Sequence, residues 1–135
     1  MFIDKNLEFS DSQALTATAV SQNVIDLGAD EDIGPGEDLF AVVVVEVAPD
    51  HTTGDETYVA TVQTGSTATP TDLIGSIVIP NTAKKGDVFF MPIASHNDRY
   101  LRMNFTLGGT TPTITVSAFL TVEEPSSWRA TPDAI

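Results

Sequence analysis

Between positions 30 and 38 the chain reads Asp30-Glu31-Asp32-Ile33-Gly34-Pro35-Gly36-Glu37-Asp38, its densest run of carboxylates. Hard divalent cations take several carboxylate and carbonyl oxygens from one loop, so calcium binding is the chemistry this stretch could support. The spacing argues against it. In the helix-loop-helix calcium motif a glycine follows the third oxygen ligand, whereas Gly34 comes too early here and Pro35 follows it. The stretch reads as a solvated acidic loop, and no metal or other cofactor is expected.

Ser95, His96 and Asp98 are the three residue types of a hydrolase triad. Neighbours on one short turn do not place nucleophile, base and orienting carboxylate in line, and triads are assembled from distant segments. No G-x-S-x-G elbow exists to present a serine. His96 therefore reads as a turn histidine, as does His51 in the polar segment Pro49–Asp55. Arg99 and Arg102 flank Tyr100, and on so acidic a chain they are expected to make internal salt bridges or cation–π contacts instead of binding an anion. With no glycine-rich phosphate loop, metal-spaced histidine pair or identifiable buried carboxylate pair, the sequence offers nothing that points to an enzyme.

The elements that would carry these residues are strands. Leu101, Met103, Phe105 and Leu107 alternate with Tyr100, Arg102, Asn104 and Thr106, the pattern of a half-buried strand. Ile114, Val116, Ala118, Leu120 and Val122 alternate in the same way with Thr113, Thr115, Ser117 and Thr121. Over 57–64, Tyr58, Ala60 and Val62 share one face. The runs 73–79 and 88–93 are shorter and apolar on both sides. Residues 13–27 supply one or two further strands, with 23–27 the clearer, and 11–22 read as extended chain, not helix. Turn residues separate the runs: Gly34-Pro35-Gly36, Thr53-Gly54-Asp55, Lys85-Gly86-Asp87 and Gly108-Gly109 among them. The count of seven or eight strands at short spacing predicts an all-β antiparallel β-sandwich. It is framed by an N-terminal arm (1–12) and a C-terminal tail (125–135), with the sandwich over 13–124.

One strand breaks the usual rule. In 39–47 the odd positions Leu39, Ala41, Val43, Val45 and Val47 and the even positions Phe40, Val42 and Val44 are all apolar. A two-layer antiparallel sandwich wets one face of each strand. The second face of this strand must be covered by the arm, a long loop or another subunit.

Composition narrows the partners. With 6 basic and 19 acidic side chains the chain carries a formal charge of -13, which repels nucleic acid and anionic lipid; neither nucleic acid nor membrane is an expected partner. There is no cysteine, which excludes disulfides and thiol chemistry. Asp4 and Glu8 interrupt what a secretory signal would keep apolar, and no apolar run approaches the roughly 20 residues that cross a bilayer. A cytoplasmic site of synthesis and use is the expectation.

Two stretches carry a resemblance. Met1-Phe2-Ile3-Asp4, Leu7-Glu8-Phe9-Ser10-Asp11, Gln13–Ala19 and Ile25-Asp26-Leu27-Gly28, together with Arg99-Tyr100-Leu101-Arg102-Met103-Asn104-Phe105, resemble in residues and order the capsid cement (decoration) proteins of tailed bacteriophages. The acidic loop 29–38 and the tail after Glu123 depart from that pattern. The resemblance implies a jelly-roll sandwich on the capsid exterior that bridges subunits of the major capsid protein. It also implies a homo-oligomer, with a dimer favoured over a trimer. Phe2, Ile3, Leu7 and Phe9 of the arm, with Trp128 of the tail, are the candidate contacts to capsid or sister subunit. The competing expectation is a carbohydrate-binding sandwich on a virion or cell surface, with Trp128 as its stacking platform.

Overall fold

Nine strands in two antiparallel sheets account for the regular structure of the computed structural model, which describes residues 7–26, 39–93 and 99–121. The first sheet contains β1 (Glu8–Leu15), β9 (Ile114–Thr121), β4 (Phe40–Val47) and β7 (Val88–Pro92), side by side in that order. The second has β2 (Ala19–Val20), β8 (Tyr100–Gly108), β5 (Thr57–Gly65) and β6 (Asp72–Ile79) in that order. The short β3 (Ile25–Asp26) also pairs with β8. Because β2 and β3 both lie along β8, they fill one strand position between them. The result is two four-position sheets whose consecutive strands cross repeatedly from one sheet to the other, the eight-position jelly roll.

The strand patterns expected from alternation are present. Along β5 and through Phe105 of β8 every second residue is buried, so Ala60 and Val62 lie beside their partners Phe105 and Met103 on the inner face of the sheet, with Tyr58 and Leu101 on the same face. Sheet one supplies the other half of the core through Ala41, Val43 and Val45 of β4 and Val116, Ala118 and Leu120 of β9. All six are 3% exposed or less.

Two expectations need correction. Of the strand expected over 23–27, the described residues 23–26 contribute only the two-residue β3, whereas the long strand in this region is β1. The line drawn between arm and sandwich after residue 12 therefore falls inside β1. Phe9 is not an arm residue: it is fully buried in the main core. The physical reason lies in two register shifts where β1 pairs with β9, between Glu8 and Ser10 and between Ser10 and Gln13. Such bulges insert unpaired residues and re-aim side chains. They leave Asp11 and Ser12 exposed while Phe9 and Leu15 both reach the core, so the strand shows no clean alternation in sequence.

The end of the sandwich that holds the β4–β5 and β8–β9 connections is closed by backbone approach. Gly109 has φ +90°, and a Cβ there would collide with the carbonyl oxygen of Asp55. Gly54 has φ +83° but open space around it. Gly109→Ala is expected to destabilise the fold by about 3 kcal/mol or more, because strain and collision add. Gly54→Ala should cost only the conformational share, about 1–2 kcal/mol. Urea denaturation of the two variants checks this ordering, and equal costs would contradict it.

Candidate functional site

Two features of the surface could engage something else: the outer face of sheet one and a hydrogen-bonded loop cluster at one end. The first follows from the two-sided apolar run in β4. Its inward residues belong to the main core, while Phe40 and Val42 point outward and join Phe119 of β9 in a second, smaller apolar cluster, with Val44 packed against it. The strand pairing brings them together: Val42 lies between Phe90 of β7 and Phe119 of β9, and Phe40 between Pro92 and Thr121. The Phe40 and Phe90 rings meet edge to face, 5.9 Å between centroids at 75°, a favoured aromatic geometry. Val42 and Phe119 are almost completely buried, whereas Phe90 and Val88 on the edge strand remain 36% and 38% exposed. An apolar patch on the outer side of a sheet, half open at its edge, is a surface suited to protein contact.

The second feature joins the β4–β5 loop to the β8–β9 turn. Tyr58, 2% exposed, donates its hydroxyl proton to the Asp50 carbonyl at 2.6 Å and accepts the Thr113 N–H at 3.2 Å. The Asp50 N–H donates to the Thr113 carbonyl. Asp55 accepts from the backbone N–H and hydroxyl of Thr110. Glu56, also 2% exposed, accepts the N–H groups of Thr53 and Gly54. The Thr53 hydroxyl lies 2.5 Å from Asp55 and 2.6 Å from Glu56; with one proton to give, it is shared between two carboxylates. These oxygens are already engaged by the chain's own donors, and among the described residues no group of three or more metal-ligating side chains gathers around a cation site.

The hydrogen bonds shift the acids in a common direction. The Thr53 hydroxyl, followed by the Thr110 donors, holds Asp55 below the ordinary carboxylate range. The same hydroxyl lowers Glu56 against the opposing effect of burial. Asp50 is lowered by the hydroxyl and N–H of Thr52. Burial raises the Tyr58 phenol, which stays protonated. The cluster acts as a clasp that closes this end.

The sequence-proposed residues fall in three groups. Phe2, Ile3 and Trp128, the acidic loop 30–38, and Ser95, His96 and Asp98 lie outside the described residues. Leu7 and Phe9 belong to the fold itself: Leu7 packs against the main core and Phe9 is inside it, so docking Phe9 on a neighbour would require β1 to unfold. Arg99 meets the expectation of internal pairing. It makes a two-pronged contact with Asp26 at 2.7 and 3.0 Å and lies 5.0 Å over the Tyr100 ring. Arg102 differs, donating to the neutral oxygens of Gln63 and Pro70. His51 is an exposed turn residue with Nδ1 3.4 Å from the Pro49 carbonyl. The Tyr58 clasp leaves no signal in the sequence, because its partners are backbone groups, at Asp50 eight residues away and at Thr113 55 residues away.

Topology and surface together define a jelly-roll sandwich with a second apolar cluster on the outside of one sheet. The family model Bbp16 matches residues 9–120, from β1 through β9, and the chain belongs to the Bbp16 family. A solved structure titled "Structure of infectious bursal disease virus Gt strain" is similar at a TM-score of 0.44 with 11% identity, over 84% of this chain and 29% of that one. The chain thus spans less than a third of the length of that neighbour. No curated protein matches.

The pH dependence follows from the lowered acids. A carboxyl whose folded pKa is depressed contributes stability above its unfolded pKa and loses it as pH falls through the folded value. The clasp should therefore hold at neutral pH and weaken below about pH 4. Thr53→Val, which removes the first cause of lowering at both Asp55 and Glu56, should flatten the acid limb of the melting temperature against pH. An unchanged slope would contradict the shared-proton arrangement.

Proposed function

We propose that the protein is a virion structural protein: a capsid cement that binds the outside of an assembled shell, bridges major capsid subunits and works as a homo-oligomer without catalytic role. The observation that carries this reading is the outer face of sheet one, where Phe40, Val42 and Phe119 form an apolar cluster left half open at Val88 and Phe90. Val42 and Phe119 of that face are buried within the chain itself, and Val88 and Phe90 at its edge are the part left to a partner. The jelly-roll topology, the resemblance of the opening segment and of 99–105 to cement proteins, and the surplus of acid over base support the same reading.

The mechanism is linkage. A protein that binds the expanded shell and not its dissociated subunits stabilises the shell in proportion to its occupancy. Many identical attachments multiply a modest single contact. Burying one valine or phenylalanine side chain contributes about 1.5–3 kcal/mol, enough for two or three to dominate an attachment point. With Phe9 and Leu7 committed to the sandwich, the arm's contribution passes to Phe2 and Ile3.

Deleting residues 2–6 leaves β1 intact, and Val88→Lys places a charge at the open rim of the patch. Both variants should melt within a few degrees of the parent yet lose about tenfold or more in cosedimentation with shells stripped of the protein, equivalent to about 1.4 kcal/mol per site. Retention equal to the parent's in both variants would overturn the attachment reading. A large fall in melting temperature for the deletion would place residues 2–6 in the fold instead.

A further inference from the structure

The outer face of sheet one is covered more completely than its described neighbours can cover it. Its outward rows run from Val44 and Ser117, through Val42 and Phe119, to Phe40 and Thr121. Val44 and Ser117 are half-buried, whereas Val42 and Phe119 are 0% and 2% exposed, and Phe40 and Thr121 8% and 9%. Burial on this face therefore rises towards the end where β4 begins and β9 finishes. The apolar partners described for these residues, Phe90 and Val44, stand on the same sheet. Side chains rise perpendicular to a sheet, so neighbours close the sides of a residue and not the space above it. Phe119 has Glu8 on one side and Val42 on the other, and 2% exposure there needs atoms laid across the ring. Phe119 and Thr121 each engage a further partner beyond these strand neighbours.

We infer that the segment following β9 turns back across the outer face of sheet one and seats Trp128 over Phe40, Val42 and Phe119. Continuity points to it. β9 carries two of the four covered residues, and residue 122 leaves from beside them. Pro125 lacks the N–H to carry a strand on, and Ser126-Ser127 is a turn-forming pair directly ahead of Trp128. Residues 122–128 reach about 23 Å when extended, and Phe119 lies only about 7 Å back along the strand from Thr121. The chemistry fits as well. The floor is made largely of phenylalanine rings, and an indole gains from offset or edge-to-face contact with such rings beyond the area it buries. The other stretches suit it less. Residues 30–38 carry five carboxylates, 94–98 are polar apart from Ala94, and 1–6 leave from β1, across β9 from Phe40 and Val42. Trp128 is then an internal contact instead of a capsid contact or a sugar platform, and Val88 and Phe90 stay as the open rim.

Trp128 is the chain's one tryptophan and there is no cysteine, so its fluorescence and a single introduced thiol read the contact directly. In the folded full chain the emission should be blue-shifted and shielded from acrylamide. Unfolding in urea should shift it to the red and abolish the shielding. A nitroxide placed on Val88→Cys, at the exposed rim of the same face, should dim the emission. The same label on Thr106→Cys, exposed on the outer face of the second sheet, should leave it unchanged. Both substitutions alter exposed side chains, and their urea midpoints should match the parent's. A Trp128 that emits as a solvated indole in the folded chain overturns the proposal and assigns the cover to another segment. A shielded Trp128 that the Val88 label leaves undimmed, or that the Thr106 label dims equally, overturns it as well. Each measurement uses the free chain, so its outcome does not depend on whether the chain binds shells.

Discussion

The structure depends on one constraint: β4, in the interior of its sheet, is apolar on both faces. Its inward side, Ala41, Val43 and Val45, builds the core with β9 and the second sheet. Its outward side cannot be left to water without forfeiting the burial of Phe40 and Val42. The neighbours answer this requirement from either side, Phe119 from β9 and Phe90 from β7. Phe119 and Val42 are buried in this second cluster, outside the sandwich core. The second cluster is thus a consequence of sequence periodicity: a run of β-branched residues with no polar alternate has to be covered twice.

The two ends of the sandwich are built differently. At one end the β4–β5, β6–β7 and β8–β9 connections are short and tied, with Tyr58, Thr53 and Gly109 drawing two of them together. At the other end lie the starts of β1, β4 and β8 and the finishes of β3, β7 and β9, so every segment outside the described residues joins the sandwich there. Those segments carry Phe2, Ile3, Trp128 and the acidic loop. The clasp ties two connections together at the end opposite the one from which those segments leave the sandwich.

How much of this the sequence discloses depends on which groups do the work. Where side chains alternate, as in Tyr100–Gly108 and Thr57–Gly65, strand and buried face are both legible, since the pleat converts order into facing. The double-sided run in β4 announces that a second face needs cover, and the structure supplies the cluster. β1 is not legible, because its bulges shift the register and place Phe9 among acidic neighbours that look like arm. The clasp is invisible for another reason: a tyrosine hydroxyl bonded to backbone groups leaves no mark in residue spacing. The free edge of β6 is equally hidden, since edge or interior is decided by topology and not by the strand itself.

Exposure among the described residues is uneven. Leu73 and Val78 on β6 and Val88 and Phe90 on β7 mark one flank of the sandwich, where the edges of the two sheets come together and a Cβ at Gly75 would meet the Met91 side chain. Glu8 and Asp11 on β1 and Asp26 on β3 mark the opposite flank. The division is incomplete: Asp72 on β6 and Asp87 before β7 are exposed on the first flank beside Lys84 and Lys85, and Val20 and Val24 are exposed on the β2–β3 side. The two apolar surfaces on the first flank do not compete. Leu73 and Val78 belong to β6 of the second sheet, whereas Phe40, Val42, Phe90 and Phe119 lie on the outer side of the first, so a contact made on one leaves the other open.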